Sequence, residues 1–396
     1  MTERIIGIIM NGVTGRMGTH QHLIRSILPL RNQGGIRFPN GDVAIPDPIL
    51  VGRNEAKLRS LASAHGIERY TTDLNRALDN KTDPIYFDAQ TTHARFPAMR
   101  EAILRGKHVY CEKPVAATLD ETLELAQLAD SQGVKTGVVM DKLFLPGILK
   151  LQRLVNSGFF GRVLSVRGEH GYYVFEGDWQ SGQRPSWNAN KEEGGGIILD
   201  MLPHWRYLFE HTFGKMNAVF CLGATQISDR VNESGERIKC TAEDTAYSMF
   251  QLDGGLTVRM DASWCVRVHR DELLEIQVDG THGSAVAGLR GCKSQHRVNT
   301  PKPVWNPDAP NPLNFYQDWQ TVPDNQEFGN AFKVQWEMFL RHVLAGEPYQ
   351  YDFLEGAKGV QLAELAMQSW RERRWIDIPA IARSPRADRS LAQQDA

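Results

Sequence analysis

The sequence has few cysteines and no long apolar run, and these two absences exclude whole classes of protein. Its five cysteines are scattered, and no two of them form a Cys-x-x-Cys pair. We therefore expect neither a disulfide framework nor a metal site, and reduced thiols favour a cytoplasmic location. The apolar run over residues 5–10 is too short for the core of a signal peptide or for a membrane span.

The sequence also lacks an excess of charge of either sign. Lys and Arg number 45 against 47 Asp and Glu, so the formal net charge is −2. Without a basic field, neither nucleic acid nor a membrane is an expected partner, and a small-molecule ligand is favoured. A chain of 396 residues predicts two domains.

Short apolar runs alternate with helical patterns through residues 1–142. The runs lie at 5–10, 48–51, 84–87, 108–111 and 135–139, and the helical patterns at 16–28, 55–65, 94–104 and 119–132. This α/β alternation predicts a parallel sheet covered on both faces, which is the architecture of a Rossmann dinucleotide-binding domain. The Gly- and Pro-rich segment 31–47 is either a surface insertion or a loop near the adenosine end of a cofactor or at a subunit contact.

From residue 143 the pattern changes to strands that follow one another directly. They lie at 163–168, 218–222, 246–252, 256–262 and 273–278, with helices at 145–157, 332–344 and 354–373. The turn sequence Asp253, Gly254, Gly255 predicts a hairpin between two of these strands. We expect an α+β domain on a largely antiparallel open sheet over 143–379, and a flexible tail over 380–396.

Three glycines follow the first strand and open the first helix, at positions 12, 15 and 18. Glycines there allow a sharp turn and let backbone N–H groups approach a pyrophosphate at the positive end of the helix. The alternative is a tight turn that binds no ligand. The predicted cofactor contacts of this turn are Gly12, Thr14, Gly15, Arg16, Met17 and Gly18.

The second strand ends without the acidic residue that commonly holds the ribose 2′-hydroxyl of NAD. Gly52, Arg53 and Asn54 stand there instead. An arginine at this place can pair with a 2′-phosphate, so NADP is favoured over NAD, with Arg53 and Asn54 as contacts. The alternative is that Arg53 only caps a surface helix.

The sequence Glu112, Lys113, Pro114 follows the strand at 108–111. Pro114 keeps Lys113 out of helical geometry, and Lys113 falls at the carboxyl end of a parallel strand, where open α/β sheets bind ligands. A lysine there can position a hydroxyl or carbonyl group beside a nicotinamide ring. On composition alone, a surface lysine in a turn is the commoner case.

Asp200 and His204 are four residues apart after a glycine run, and so share one helix face. A carboxylate near a histidine can orient its ring and tune its proton affinity, although a purely structural pair is the alternative. Pro203 lies between them and is compatible with a helix only near its start.

These motifs together resemble the Gfo/Idh/MocA family, which is named after glucose–fructose oxidoreductase, inositol dehydrogenase and a rhizopine-catabolism protein. The likeness covers residues 4–379 and includes the segments 106–114, 158–163, 194–204 and 280–283. It implies an NAD(P)-dependent dehydrogenase that oxidises a hydroxyl of a sugar, sugar derivative or cyclic polyol. A non-catalytic NADP-binding regulator, or a family member that keeps its cofactor bound and uses it transiently, is the alternative.

The resemblance also implies roles for individual residues. Lys113 and His204 would hydrogen-bond the reacting hydroxyl, and His204 would take its proton with Asp200 orienting the ring, while Lys113 is the competing base. It implies a substrate contact at Lys142 and a homodimer or homotetramer. The further cofactor contacts that it implies are Thr91, Thr92, His93, Glu112 and Lys113.

Residues 172–187 are dense in aromatic side chains, and Tyr172 and Trp187 are the predicted substrate contacts among them. Aromatic faces suit the apolar face of a sugar ring. The alternative is that this segment packs in the second domain or at a dimer contact. The sequence has no arginine cluster for a phosphate group, which favours an unphosphorylated sugar. The other aromatic residues of the segment are Tyr173, Phe175 and Trp179.

Overall fold

A computed structural model describes residues 2–174 and 184–381, which form two sheets with their covering helices. The first sheet has seven strands in the order β2-β3-β1-β5-β6-β7, with β4 beside β3. Only β2 runs antiparallel to its neighbour, so the predicted parallel sheet is confirmed. Strands β1 to β7 are Glu3–Asn11, Ile36–Arg37, Val43–Val51, Tyr70–Thr71, Ile85–Asp88, His108–Cys111 and Thr136–Val138.

Both faces of the first sheet are buried. In β1, Ile8 and Met10 belong to one apolar core, and Ile9, between them, belongs to the other. Successive side chains of a strand point to opposite faces, so this division places covering helices on both sides. A π-helix, Met17–Ile27, continues without a break into α1, Leu28–Asn32.

The remaining helices fall close to their predicted positions, although α3 was missed. No helix in the described part of the chain has the length and apolar character needed to cross a bilayer. Helices α2 to α9 are Glu55–Ala64, Leu74–Asp79, Thr92–Leu104, Leu119–Gln132, Pro146–Asn156, Ile197–Phe213, Ala331–Ala345 and Phe353–Glu372.

Strand β3 begins earlier than predicted, because two prolines obscure its first half. Segment 31–47 contains the short strand β2, which pairs with the start of β3, while β4 pairs with its end. Pro46 and Pro48 lie in the interval between these two partners, where a missing N–H breaks no ladder. The segment is therefore partly an edge hairpin of the sheet.

The second sheet has nine strands in the order β17-β16-β15-β14-β8-β13-β12-β9-β18. All of these neighbours are antiparallel except β8 and β13, and Asp253–Gly255 joins β12 to β13 as the predicted hairpin. Strands β8 to β18, including the separate pair β10 and β11, are Val163–Gly171, Met216–Ala224, Asp229–Val231, Arg237–Lys239, Thr245–Leu252, Thr257–Ser263, Leu274–Gly280, Gly283–Ala287, Cys292–His296, Gln320–Thr321 and Ile376–Asp377.

Helix α8 leaves the second sheet and packs on the first one. Its Trp336 and Phe339 are fully buried against Phe87 and Tyr110 of strands β5 and β6. The indole N–H of Trp336 also donates to Nδ1 of His22 in the π-helix at 2.9 Å. The core around the first sheet is thus completed by residues that lie near the end of the chain.

Candidate active site

The glycine turn presents backbone to solvent at the carboxyl edge of the first sheet. Gly12 has φ +74°, and a Cβ there would lie 2.7 Å from the backbone of Ala89 and Gln90. A Cβ at Gly18 would lie 2.6 Å from the carbonyl oxygen of Gly12. Packing therefore requires both glycines, whereas Gly15 is exposed.

The helix after this turn has an N-terminus suited to an anion. No side chain caps it and no acidic residue lies in its first turn, which begins at Met17. The N–H of Thr19 donates to the carbonyl of Gly15 at 2.8 Å, and the N–H groups of Met17 and Gly18 lie before it at the positive end of the helix dipole. The exposed Arg16 and the half-buried Thr14 flank the turn. These residues fit a dinucleotide pyrophosphate.

The end of β3 lies beside the glycine turn. A Cβ at Gly52 would lie 3.5 Å from Oγ1 of Thr14. Arg53 is exposed and makes no hydrogen bond or ion pair within residues 2–174 and 184–381. The cap of α2 is Asn54, whose Oδ1 accepts from the N–H of Lys57 at 3.0 Å. The arginine is therefore not the helix cap, while the side chain of Asn54 is already engaged.

The segment after β5 lies between the glycine turn and α7. Thr91 is exposed, Thr92 is buried at the start of α4, and His93 is exposed. A Cβ at Gly194 would lie 3.1 Å from Nε2 of His93, so the glycine run before α7 lies against this segment. The three predicted cofactor contacts thus border the cleft between the two sheets.

Glu112 was expected to contact the cofactor, but its carboxylate points into the protein. The side chain is 4% exposed, and Oε1 lies 2.8 Å from Nε2 of His22. Since Trp336 donates to Nδ1 of this ring, Nε2 carries the hydrogen and donates it to Glu112. Burial raises the pKa of Glu112, but His22, Lys113 and Arg95 together outweigh it, so the net pKa is lowered. Its carboxylate is therefore unavailable to a ligand in the cleft.

Lys113 and Asp200 form an ion pair across the cleft. Nζ of Lys113 donates to Oδ1 of Asp200 at 2.7 Å and to its backbone carbonyl at 2.8 Å. Arg184 donates to Oδ2 of the same carboxylate at 2.8 Å. Burial raises the pKa of Asp200, but the two cations hold it well below its usual range. Asp200 is therefore a carboxylate shared by two cations.

His204 is oriented by other residues than the one expected. No hydrogen bond joins Asp200 to His204, both of which belong to the described part of the chain. Nδ1 of His204 lies 2.6 Å from Oη of Tyr207 and 3.7 Å from Oδ1 of Asp141. The two residues share a helix face, but Lys113 and Arg184 draw the carboxylate away from the ring.

Lys142 reaches the other nitrogen of the same ring. Its Nζ lies 3.3 Å from Nε2 of His204 and 3.6 Å from Oδ2 of Asp141. Burial lowers the pKa of Lys142, while Asp141 favours its charged form. Burial and the charge of Lys142 hold the pKa of His204 well below its usual range, so the imidazole is neutral near pH 7. The structure thus brings Lys113, Lys142 and His204 to one site.

Three residues of this site were not predicted from the sequence. Tyr207 follows His204 by three positions, so the helical repeat carries a signal for it, and Asp141 adjoins Lys142. Arg184 carries no such signal, because only the folded second domain brings it here. His170, a polar residue next to the aromatic segment, also lies at this site. Burial, with Lys142 and Arg184, lowers the pKa of His170 to about 3, and its Nδ1 is buried without a partner in the described chain.

The predicted aromatic substrate contacts lie at the edge of the site. Tyr172 is half-buried and lies near Arg184. Trp187 is half-buried in the short helix Ser186–Ala189, and its carbonyl would lie 2.5 Å from a Cβ at Gly195. Phe175 and Trp179 lie outside the described residues.

Pro203 lies inside α7, not near its start as the sequence analysis required. The helix runs over Ile197–Phe213, so Pro203 is its seventh residue. Gly359 of α9 packs closely against it, since a Cβ there would lie 2.9 Å from Cβ of Pro203. A proline at this position removes one hydrogen bond within the helix.

Two family models together match more than half of the chain. Residues 48–140 match the model described as "Oxidoreductase family, NAD-binding Rossmann fold". Residues 148–286 match the model of the GFO/IDH/MocA C-terminal domain. The two matches fall on the first and the second sheet, respectively.

Known proteins are similar to the chain over nearly its whole length. D-xylose dehydrogenase of Paenarthrobacter nicotinovorans is 54% identical over 381 residues, which cover 95% of this chain and 98% of that protein. Levoglucosan dehydrogenase of Pseudarthrobacter phenanthrenivorans is 20% identical over 358 residues, covering 84% and 90%. A solved apo structure of a levoglucosan dehydrogenase has a TM-score of 0.78 at 18% identity and covers 96% of this chain and 100% of its own. That last likeness establishes the fold.

Proposed function

This chain belongs to the Gfo/Idh/MocA family of NAD-binding oxidoreductases, and on that premise we propose that it oxidises a hydroxyl of an unphosphorylated sugar. It is an NAD(P)-dependent oxidoreductase that acts on CH–OH groups. The relative at 54% identity is a D-xylose dehydrogenase, so D-xylose is the first candidate substrate.

One observation carries the proposal: the cluster of Lys113, Asp200, His204 and Lys142 beside the glycine turn. A ligand hydroxyl in the cleft meets a neutral imidazole, which can accept its proton, and ammonium groups, which can only donate hydrogen bonds. Nicotinamide, when bound, supplies the acceptor for the hydride of the carbinol carbon. The protein residues therefore accept the proton and position the oxygen.

His204 is the better candidate for the base. Lys113 already donates to two oxygen atoms of Asp200 and forms an ion pair with this carboxylate. One hydrogen of Lys113 remains for the oxygen that loses its proton. Lys113 thus stabilises the developing negative charge, and His204 takes the proton.

We assign NADP as the preferred cofactor. Arg53 supports this assignment, because it is exposed beside the glycine turn without a protein partner in the described chain. An unpaired guanidinium can bind a 2′-phosphate in a bidentate manner. The absence of an acidic residue at the end of β3 removes the usual partner of the NAD ribose.

The nucleotide is assigned to residues 1–142 and the sugar to 143–379, in a cytoplasmic homodimer or homotetramer. Leu222 and Tyr247 support the assembly, because they are neighbours on the open face of the second sheet and are 45% and 46% exposed. The described cysteines are all free, which suits a reducing compartment. Sedimentation of wild type and Tyr247→Lys tests the assembly, and a monomeric wild type would contradict it.

The experiment that tests the function follows absorbance at 340 nm. The purified protein is mixed with NADP or NAD and with D-xylose, other aldoses, inositols or a sugar phosphate. We expect steady reduction of NADP with D-xylose and none with the phosphate ester. Tight cofactor binding without turnover of any sugar would overturn the dehydrogenase proposal and favour a regulator. A single turnover without release would indicate a retained cofactor.

A further inference from the structure

We propose that Tyr207 and Asp141 fix the tautomer and orientation of His204, so that its Nε2 is the atom that accepts the substrate proton. Tyr207 is then a positioning residue that acts through His204. The inference deepens the proposed function and rests on His204 as its base.

The hydroxyl of Tyr207 is the centre of a closed set of contacts. This side chain is buried, with the residue 3% exposed. Its oxygen lies 2.6 Å from Nδ1 of His204, 3.2 Å from the backbone N of Lys142 and 3.4 Å from Oδ1 of Asp141. The three partners come from α7 itself and from the short helix Asp141–Phe144 that follows β7.

The hydrogens of these contacts can be assigned. A tyrosine hydroxyl has one hydrogen to donate and can accept two. Burial raises the pKa of Tyr207, so the hydroxyl keeps its hydrogen. The backbone N–H of Lys142 can only donate, and the carboxylate of Asp141 can only accept. In the proposed arrangement, Tyr207 donates to Asp141 and accepts from the N–H of Lys142 and from the Nδ1–H of His204.

The opposite side of the ring gives the same assignment independently. The ammonium of Lys142 lies 3.3 Å from Nε2 of His204 and has only hydrogens to offer. In the other tautomer, Nε2–H would face this ammonium, and two donors would meet. The neutral ring therefore carries its hydrogen on Nδ1, and the lone pair of Nε2 faces Lys142 until a substrate hydroxyl takes that place.

This arrangement replaces the pairing expected from the spacing of Asp200 and His204. Asp200 is occupied by Lys113 and Arg184, so it cannot select the tautomer of the ring. Two separate tasks are therefore divided between two carboxylates. Asp200 holds the ammonium of Lys113, and Asp141 acts on His204 through Tyr207.

The first test is a measurement on the resting protein that needs no turnover. Protein labelled with ¹⁵N-histidine is examined by long-range ¹H–¹⁵N NMR at pH 7.5, and His204→Asn identifies the signals of His204. We expect Nδ1 to be protonated in the wild type and this state to be lost in Tyr207→Phe. A wild-type ring that carries its hydrogen on Nε2 would overturn the inference, whether or not the enzyme is active.

The second test is kinetic. Tyr207→Phe should lower kcat roughly 10- to 100-fold, because a ring that no longer keeps its hydrogen on Nδ1 is a poorer general base. The variant should change the KM for the sugar less than threefold. Asp141→Asn should have a smaller effect in the same direction. Tyr349→Phe is the matched control, because it removes another buried hydroxyl, one that has no partner in the described structure. It should leave kcat unchanged.

A double variant separates positioning from an independent role. If Tyr207 acts through His204, then Tyr207→Phe adds no further loss to His204→Asn. Multiplicative losses would contradict the inference. If the wild type oxidises none of the sugars tested, the proposed function fails, and the NMR measurement still decides the role of Tyr207.

Discussion

Lys113 and Asp200 are joined twice, once through the carboxylate and once through the backbone carbonyl, at 2.7 and 2.8 Å. Lys113 follows β6 of the first sheet, and Asp200 lies in the first turn of α7, which covers the second sheet. The contact therefore ties the end of β6 to the start of α7 across the cleft. It also leaves one ammonium hydrogen for a ligand.

Replacing Lys113 by Met should abolish most of the activity while preserving the cofactor site. The thioether keeps the length of the side chain but cannot donate to the reacting oxygen. We expect kcat/KM for the sugar to fall by about 10²- to 10³-fold, as for the loss of one donor to a developing oxyanion. Cofactor affinity, measured by fluorescence titration, should stay within threefold, and near-normal turnover would refute the assigned role.

Replacing Asp200 by Asn should show that Asp200 and Asp141 have different roles in the site. The change leaves Lys113 and Arg184 without their shared counter-charge. We therefore expect the free energy of unfolding to fall by on the order of 3 kcal/mol and kcat to fall at least tenfold. The ¹⁵N signals of His204 should keep the pattern of the Nδ1–H tautomer. A change of tautomer in Asp200→Asn would restore the role that the sequence alone suggested for this residue.

Replacing Arg53 by Asp should shift the cofactor preference. A carboxylate repels a 2′-phosphate and can accept from the ribose hydroxyls of NAD. Losing one arginine–phosphate contact predicts that the ratio of kcat/KM for NADP to that for NAD falls about 10- to 100-fold. Arg76→Asp makes the same charge change on the exposed surface of α3 and should leave the ratio unchanged. An unaltered ratio in Arg53→Asp would refute the NADP assignment.

Acid should destabilise the protein partly through His108, which lies far from the site. Burial and the charge of Lys135 lower its pKa to about 4, from 6.5 in the unfolded chain. The unfolded state therefore binds the proton first, so this contribution is complete above pH 6.5 and is lost as the pH falls towards 4. At pH 5 the loss is about 2 kcal/mol.

Urea unfolding of the wild type and of His108→Asn at pH 7.5 and 5 measures this contribution. Asparagine keeps an acceptor for the N–H of Lys135, which His108 binds through Nδ1 at 2.9 Å. The wild type should lose about 2 kcal/mol more than the variant between the two pH values. Equal losses would show that His108 does not titrate as its burial requires.

The elements of the fold were largely predictable because their signals are local. The patterns of the strands and helices in the first domain, and the hairpin turn at 253–255, depend on residues that are close in sequence. The early start of β3 was missed because Pro46 and Pro48 argue against a strand. They are compatible with one here because neither β2 nor β4 pairs with this part of β3, and the sequence does not show that. Pro203 was expected near the start of α7 because a proline inside a helix is costly, yet the helix begins six residues before it.

The sequence predicted some of the residues that the structure brings together here, but not which of them pair. Lys113, Lys142 and His204 do meet, as the motifs suggested. The spacing of Asp200 and His204 placed both on one helix face but could not reveal that Lys113 and Arg184 stand across the cleft. Such contacts depend on residues that are distant in the sequence, and the periodicity of a helix gives no information about them.

The return of α8 to the first sheet has a consequence for synthesis of the chain. Trp336 and Phe339 cover Phe87 and Tyr110, so a ribosome exposes these aromatic rings long before their cover is made. The core around the first sheet therefore depends on a segment that is made late. Truncation before residue 331 should thus impair binding at a glycine turn that lies more than 300 positions upstream.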